Sequence, residues 1–228
     1  MKENFTAINV ILDKSGSMNR LSSDTIGNFN KFLADQKTEP GEAIFTLATF
    51  SDRTTIVHDA INLSDVPELN KHTYATSGGT ALLDAMGITM TKVGSILSSM
   101  KEEERPSKVI FLIITDGEEN VSKEFTKSQI KDMVTHQSDK YSWEFVFMGA
   151  NIDAISAGSS LGVSVNNSLN YSASSVGTEN LYKSVSDNLK SYRGSSRSAK
   201  GDFFVQRTKI TDIPETPVDS SNLVIDIK

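Results

Sequence analysis

The sequence predicts an α/β domain. It would be a doubly wound, Rossmann-like, mostly parallel sheet of about six strands, with one antiparallel edge strand and helices on both faces. Three observations carry that prediction. Apolar runs alternate with helix-period stripes along nearly the whole chain. Val109-Ile110-Phe111-Leu112-Ile113-Ile114 is unbroken apolar, the pattern of a strand covered on both faces. Ser51-Asp52-Arg53 separates two strand-like runs by too little chain for a parallel crossover, so that pair must be antiparallel.

The elements follow in order. Residues 5–12 form the first strand, its second half Ile8-Asn9-Val10-Ile11-Leu12. A helix over Ser22 to Gln36 places Ile26, Phe29 and Leu33 on one face and is stopped by Pro40-Gly41. Residues 44–50 are the second strand and Thr54 to His58 the edge strand. Residues 80–100 carry a helical stripe of Leu82, Ala85, Met86, Thr89, Val93, Ile96 and Met100. The strand 109–115 follows. Thr126-Lys127-Ser128-Gln129 reads as a capping box ahead of Ile130, Met133 and Val134. After a strand over 144–148, Asp153 caps a short helix ending near Gly158, and a last strand lies near Ser164 to Asn170. Residues 178–192 form the final helix, with Leu181, Val185 and Leu189 inward and Gly194 as its C-terminal cap. Residues 1–194 thus make one domain. Residues 195–228 are an extension: a linker over Ser195 to Gly201, then Phe203-Phe204-Val205, prolines at 214 and 217, and Leu223 to Ile227. It reads equally as added strands or as a docking tail.

Bulk properties narrow the function. At 228 residues the chain buries a core without staples. With no cysteine, disulfides and thiolate metal sites are excluded. A formal charge of -6 and a pI near 5.1 argue against nucleic acid as a partner. No apolar stretch reaches the length of a membrane span, and the first residues carry no leader-like core. The expectation is a cytoplasmic protein.

Three short loops carry the chemistry. Asp13-Lys14-Ser15-Gly16-Ser17 follows the first strand, Ser77-Gly78-Gly79-Thr80 opens a helix, and Thr115-Asp116-Gly117 ends the strand 109–115. Open α/β sheets place ligands past the C-terminal ends of their strands. Oxygen donors from three loops suit a hard divalent cation, Mg2+ first, with Mn2+ or Ca2+ as alternatives. Ser15, Ser17 and Thr80 supply hydroxyls; Asp13 and Asp116 supply charge, directly or through water. Gly16 lets the serines turn toward one point, Gly78-Gly79 permits close backbone approach, and Gly117 turns the chain after Asp116. Asp84 reads as a first-turn helix acid or as an aid to Thr80. Glu118 and Glu119 read as solvated loop charges, and Asp52 as a residue of the rim.

These residues resemble the von Willebrand factor type A family with a metal-ion-dependent adhesion site (MIDAS). Asp13-x-Ser15-x-Ser17, Thr80 and Asp116 match the signature in identity, order and spacing. Gly78-Gly79-Thr80-Ala81-Leu82-Leu83-Asp84-Ala85 and Ile113-Ile114-Thr115-Asp116-Gly117 look like the stand-alone bacterial and phage members. The resemblance covers roughly residues 5–192. It implies direct coordination by Ser15, Ser17 and Thr80, and water-mediated contact by Asp13 and Asp116. It also implies a further ligand from the Asp or Glu of a partner protein, in an adaptor without catalytic activity.

An enzyme and a self-assembling structural subunit are the rival readings. Gly158-Ser159-Ser160-Leu161-Gly162 fits the hydrolase pattern G-x-S-x-G, but His58, His72 and His136 all precede it, against the order that chemistry requires. A metal hydrolase would need a base such as Glu118. A structural subunit could self-associate through residues 195–228, offering Glu215, Asp219 or Asp226 to the metal of another copy.

Overall fold

The computed structural model describes residues 1–195 and 203–204. Six strands form one sheet: β1 (Lys2–Asp13), β2 (Glu42–Phe50), β3 (Thr54–Asn62), β4 (Pro106–Thr115), β5 (Glu144–Ala150) and β6 (Ser168–Tyr171). Their spatial order is β3-β2-β1-β4-β5-β6. Every neighbouring pair is parallel except β2 and β3. Five α-helices cover the sheet: α1 (Ser22–Thr38), α2 (Leu82–Ser99), α3 (Lys127–Tyr141), α4 (Ala154–Ser160) and α5 (Ser175–Gly194). The fold class expected from the sequence is the one observed.

The period-2 side-chain alternation divides the core into two. Ile8, Val10 and Leu12 of β1 face Phe29, Phe32 and Leu33 of α1 and Leu181, Tyr182, Val185 and Leu189 of α5. Ala7 and Ile11 join the opposite cluster with Ala85, Met86 and Met90 of α2 and Ile130 and Val134 of α3. Asn9 is a buried polar residue in the middle of β1. Its amide donates to the Ile110 carbonyl at 3.1 Å, so burial leaves it satisfied.

The chain leaves β1 for β2 on one side and returns through α2 to β4 on the other. The strand order therefore switches direction between β1 and β4, opening a crevice beyond their C-terminal ends.

Local expectations were met at the capping box, where Thr126 Oγ1 accepts the Gln129 N–H and Gln129 Oε1 accepts the Thr126 N–H. They were also met at Asp153, whose Oδ1 accepts the Ser156 N–H at 3.1 Å. Two differ. The last strand starts later than the sequence implied, because Val165–Asn167 turn as a 3-10 segment closed by the Asn167 N–H on the Ser164 carbonyl. Gly194 is the last residue of α5, not a left-handed cap, and the following Ser195 is extended. The cap comes instead from the sheet: Lys108 Nζ donates to the carbonyls of Tyr192, Arg193 and Ser195 at 2.9, 2.5 and 2.6 Å.

Of the extension, Phe203 is buried and enters the core cluster under α1 and α5. Its N–H donates to Asn167 Oδ1 at 3.0 Å, and the Phe204 N–H donates to the Asn166 carbonyl at 3.2 Å. The linker after Ser195, Val205, the prolines, Leu223 to Ile227, and Glu215, Asp219 and Asp226 lie outside the described residues.

Candidate metal centre

Two of the three sequence motifs reach the crevice at strand ends, those of β1 and β4, and the third, Ser77 to Thr80, reaches it on the loop that leads into α2. Asp13 closes β1 and is fully buried. Its Oδ1 accepts the Ser15 N–H at 2.7 Å, and its Oδ2 accepts the Thr115 hydroxyl at 2.6 Å. Both carboxylate oxygens are thus engaged, which holds the Asp13 loop against the end of β4. Burial pushes the Asp13 carboxyl above the ordinary carboxylate value, and the nearby Asp116 charge adds to the rise. The Thr115 and Ser15 hydrogen bonds oppose it.

A hydroxyl relay then crosses to Asp116. Ser15 Oγ lies 3.0 Å from Ser17 Oγ, and Ser17 Oγ donates to Asp116 Oδ1 at 2.5 Å. Thr80 comes from the third loop. Thr80 Oγ1 and Ser17 Oγ stand 3.3 and 3.7 Å from the point a Cβ on Gly117 would occupy, so both border one small volume that Gly117 keeps open. The structure brings Asp13, Ser15, Ser17, Thr80 and Asp116 to one place.

Backbone staples fix the spacing. The Gly16 N–H donates to the Gly78 carbonyl at 3.0 Å and the Ser77 N–H to the Lys14 carbonyl at 2.9 Å. Thr80 is held from both sides of its own peptide. Its N–H donates to Asn120 Oδ1 at 3.0 Å, and its carbonyl accepts the Asn120 N–H at 3.1 Å. Tyr74, deep in the core, donates its hydroxyl to the Asp13 carbonyl at 2.5 Å. Burial raises its pKa well above that of an ordinary phenol, so it remains a donor.

Three acidic residues have sharper roles than their sequence reading gave them. Asp52 Oδ1 accepts the Gly79 N–H at 2.7 Å, clamping the Thr80 loop to the β2–β3 turn. Asp84 lies in the first turn of α2 and is not hydrogen-bonded to Thr80. Its carboxylate instead accepts the N–H groups of Lys123, Glu124 and Phe125 at 2.8 to 2.9 Å. Glu119 is a helix cap rather than a solvated charge. Its carboxylate accepts the Leu83 N–H of α2 and the N–H groups of Val121 and Ser122. Glu118 is exposed, as expected. Gly158 to Gly162 lies in α4 and the turn after it, with Ser160 Oγ bonded to the Ala157 carbonyl, not at the strand-to-helix turn a hydrolase nucleophile needs.

Two features fit a cation. Asp116 is buried, and its Oδ2 has no hydrogen-bond partner. Among the described residues no Lys, Arg or His pairs with Asp13 or Asp116, although a buried carboxylate without a counter-charge is costly. Among the described residues no three His, Cys, Asp or Glu side chains cluster as a metal site. The donor set here is different in kind, with hydroxyls supplying three of five side chains.

No protein-family model matches the sequence, and no curated protein matches it. Solved structures do. Proximal thread matrix protein 1 from the mussel byssus superposes with a TM-score of 0.56 at 16% identity, over 83% of this chain and 47% of that one. That protein has also been solved with a zinc-occupied MIDAS motif. A von Willebrand factor type A protein from Catenulispora acidiphila matches with a TM-score of 0.51 at 13% identity, over 82% of this chain and 42% of its own. The ArnB paralog VWA2 from Sulfolobus acidocaldarius gives 0.50 at 14%, over 82% and 45%. The chain therefore spans less than half the length of each of these three structures. With the strand order, the switch point between β1 and β4 and the three loops that meet there, these likenesses show that the chain has the von Willebrand factor type A fold.

Proposed function

We propose that this chain is a divalent-cation-dependent protein-interaction module, an adaptor of bacterial or phage type that works in the cytoplasm and has no catalytic activity of its own. Ser15, Ser17 and Thr80 would hold Mg2+ directly, and Asp13 and Asp116 would act through water. Mn2+ and Ca2+ are alternatives from the same hard, oxygen-loving class. An Asp or Glu of the partner would complete the shell. The observation that supports this most is the orphaned Asp116 Oδ2, buried beside a relay of hydroxyls. A dication supplies the positive charge that two buried carboxylates lack. The zinc-occupied MIDAS of the mussel protein supports the same reading, though zinc there does not fix the ion here. Asp13, with both oxygens already accepting, is suited to orienting the serine loop and a bound water rather than to direct ligation.

The test is thermal melting and calorimetry with Mg2+, Mn2+ and Ca2+ on the wild type and on Ser15→Ala. The wild type should gain melting temperature with the ion, and binding should be weak, because no carboxylate is a direct ligand. Ser15→Ala should fold as the wild type does and lose the gain. Equal stabilisation of both proteins, or tight Mg2+ binding by the isolated chain, would overturn the assignment.

A further inference from the structure

The metal site shares a wall with a second feature. A cleft of about 370 Å³ opens between the start of α2, the loop after β4, and α4. Its floor is apolar: Leu82, Phe147 and Leu161 are buried, and Ile152 packs on the same core. Its rim carries the side chains of Glu118, Lys127 and Asp153. Gly117 lines this cleft and is also the residue whose missing side chain leaves room for Thr80 Oγ1 and Ser17 Oγ. Cleft and candidate metal site are therefore continuous across one glycine.

We propose that this cleft reads the partner's sequence next to its acidic residue. The occupant is one bulky apolar side chain (Leu, Ile, Met or Phe) on the same extended peptide that presents the Asp or Glu. Three points select it. The volume lies at the low end of ligand pockets and has room for one bulky side chain. The floor offers the apolar side chains of Leu82, Phe147, Ile152 and Leu161, with Ser156 and Ser160 of α4 along one side. Glu118, Glu119 and Asp153 put three carboxylates on the cleft wall against the one ammonium of Lys127, so it disfavours a second acid and directs the partner's single acid to the cation. The proposal rests on the metal-dependent reading above. It adds that specificity comes from the cleft, since a lone carboxylate on a metal cannot tell one acidic loop from another.

A random heptapeptide library displayed on phage, selected against the full chain in Mg2+, tests this. Parallel selections use Ala157→Trp and Ser156→Trp, both of which place bulk in the cleft. Ser156 is exposed and serves if Ala157→Trp fails to fold. Wild-type selections should converge on an Asp or Glu with a bulky apolar residue at a fixed spacing. The folded variants should keep the acid, lose the apolar preference, and bind the wild-type consensus peptide about tenfold more weakly. Enrichment of the acid without a fixed apolar neighbour would overturn the cleft proposal and leave the metal reading standing, as would an undiminished apolar preference in both folded variants. Selection with no acid at all would overturn both.

Discussion

At the scale of single residues, the site depends on what is missing at Gly78 as much as on its ligands. Gly78 has φ of +77°, and a Cβ there would stand 2.2 Å from Asp52 Oδ2. Gly78→Ala should therefore displace Asp52 and release the Gly79 N–H, shifting Thr80. The expected cost is about 1 to 2 kcal/mol of stability together with a reduced melting gain from Mg2+. A variant with wild-type stability and wild-type ion response would show that the loop tolerates the change. The five proposed donors were legible because each sits in a short motif where identity and spacing are local. The contacts of Asp52, Tyr74 and Asn120 were not, for a physical reason. Their bonds to Gly79, the Asp13 carbonyl and Thr80 span 27, 61 and 40 residues, and nothing near them in sequence marks the partner.

Among the elements, helix ends show the same division. The α3 capping box is written into four consecutive residues and was readable. The α2 N-terminus is capped from a distant loop, by Glu119 on the Leu83 N–H and Ser122 Oγ on the Asp84 N–H. In return, Asp84 holds that loop by three backbone N–H groups. Helix and loop thus fix each other: Asp84 is the first-turn acid the sequence suggested, but its loop partners and the capping role of Glu119 do not read from either residue alone. The α5 C-terminus depends on a cation from the sheet. Lys108 is buried, and burial lowers its pKa below the usual lysine value, with the Arg193 charge acting in the same direction. Its three carbonyl bonds still keep it the partner of the helix end. Lys108→Met should leave those carbonyls without their donor and cost about 2 kcal/mol. A urea midpoint lowered at unchanged slope is the expected signature; an unchanged midpoint would show that the cap contributes nothing. Arg193 performs the matching task on α1, donating to the Gln36 carbonyl at 2.7 Å.

For the whole molecule, the fold was legible because burial on both faces leaves a strong trace in sequence. The run 109–114 could only be central, and β4 is indeed flanked by β1 and β5. The strand order was not legible, since apolar runs do not say which neighbour they choose. That order places β1 beside β4 although their loops are distant in the chain, the Thr115 hydroxyl reaching Asp13 across 102 residues. The consequence concerns time. Contacts between distant segments come after the loop-closure entropy of bringing them together has been overcome, and Asp13 and Thr115 sit at the strand ends, one residue past the last paired positions Leu12 and Ile114, so they are expected to close after β1 and β4 have paired. Interactions absent from the folding transition state act on the unfolding rate alone. Thr115→Val should accordingly unfold faster in stopped-flow while refolding at the wild-type rate; slower refolding would place the crevice inside the nucleus. The crevice thus acts as a latch on a folded sheet, governing how long the native state lasts rather than how quickly it forms.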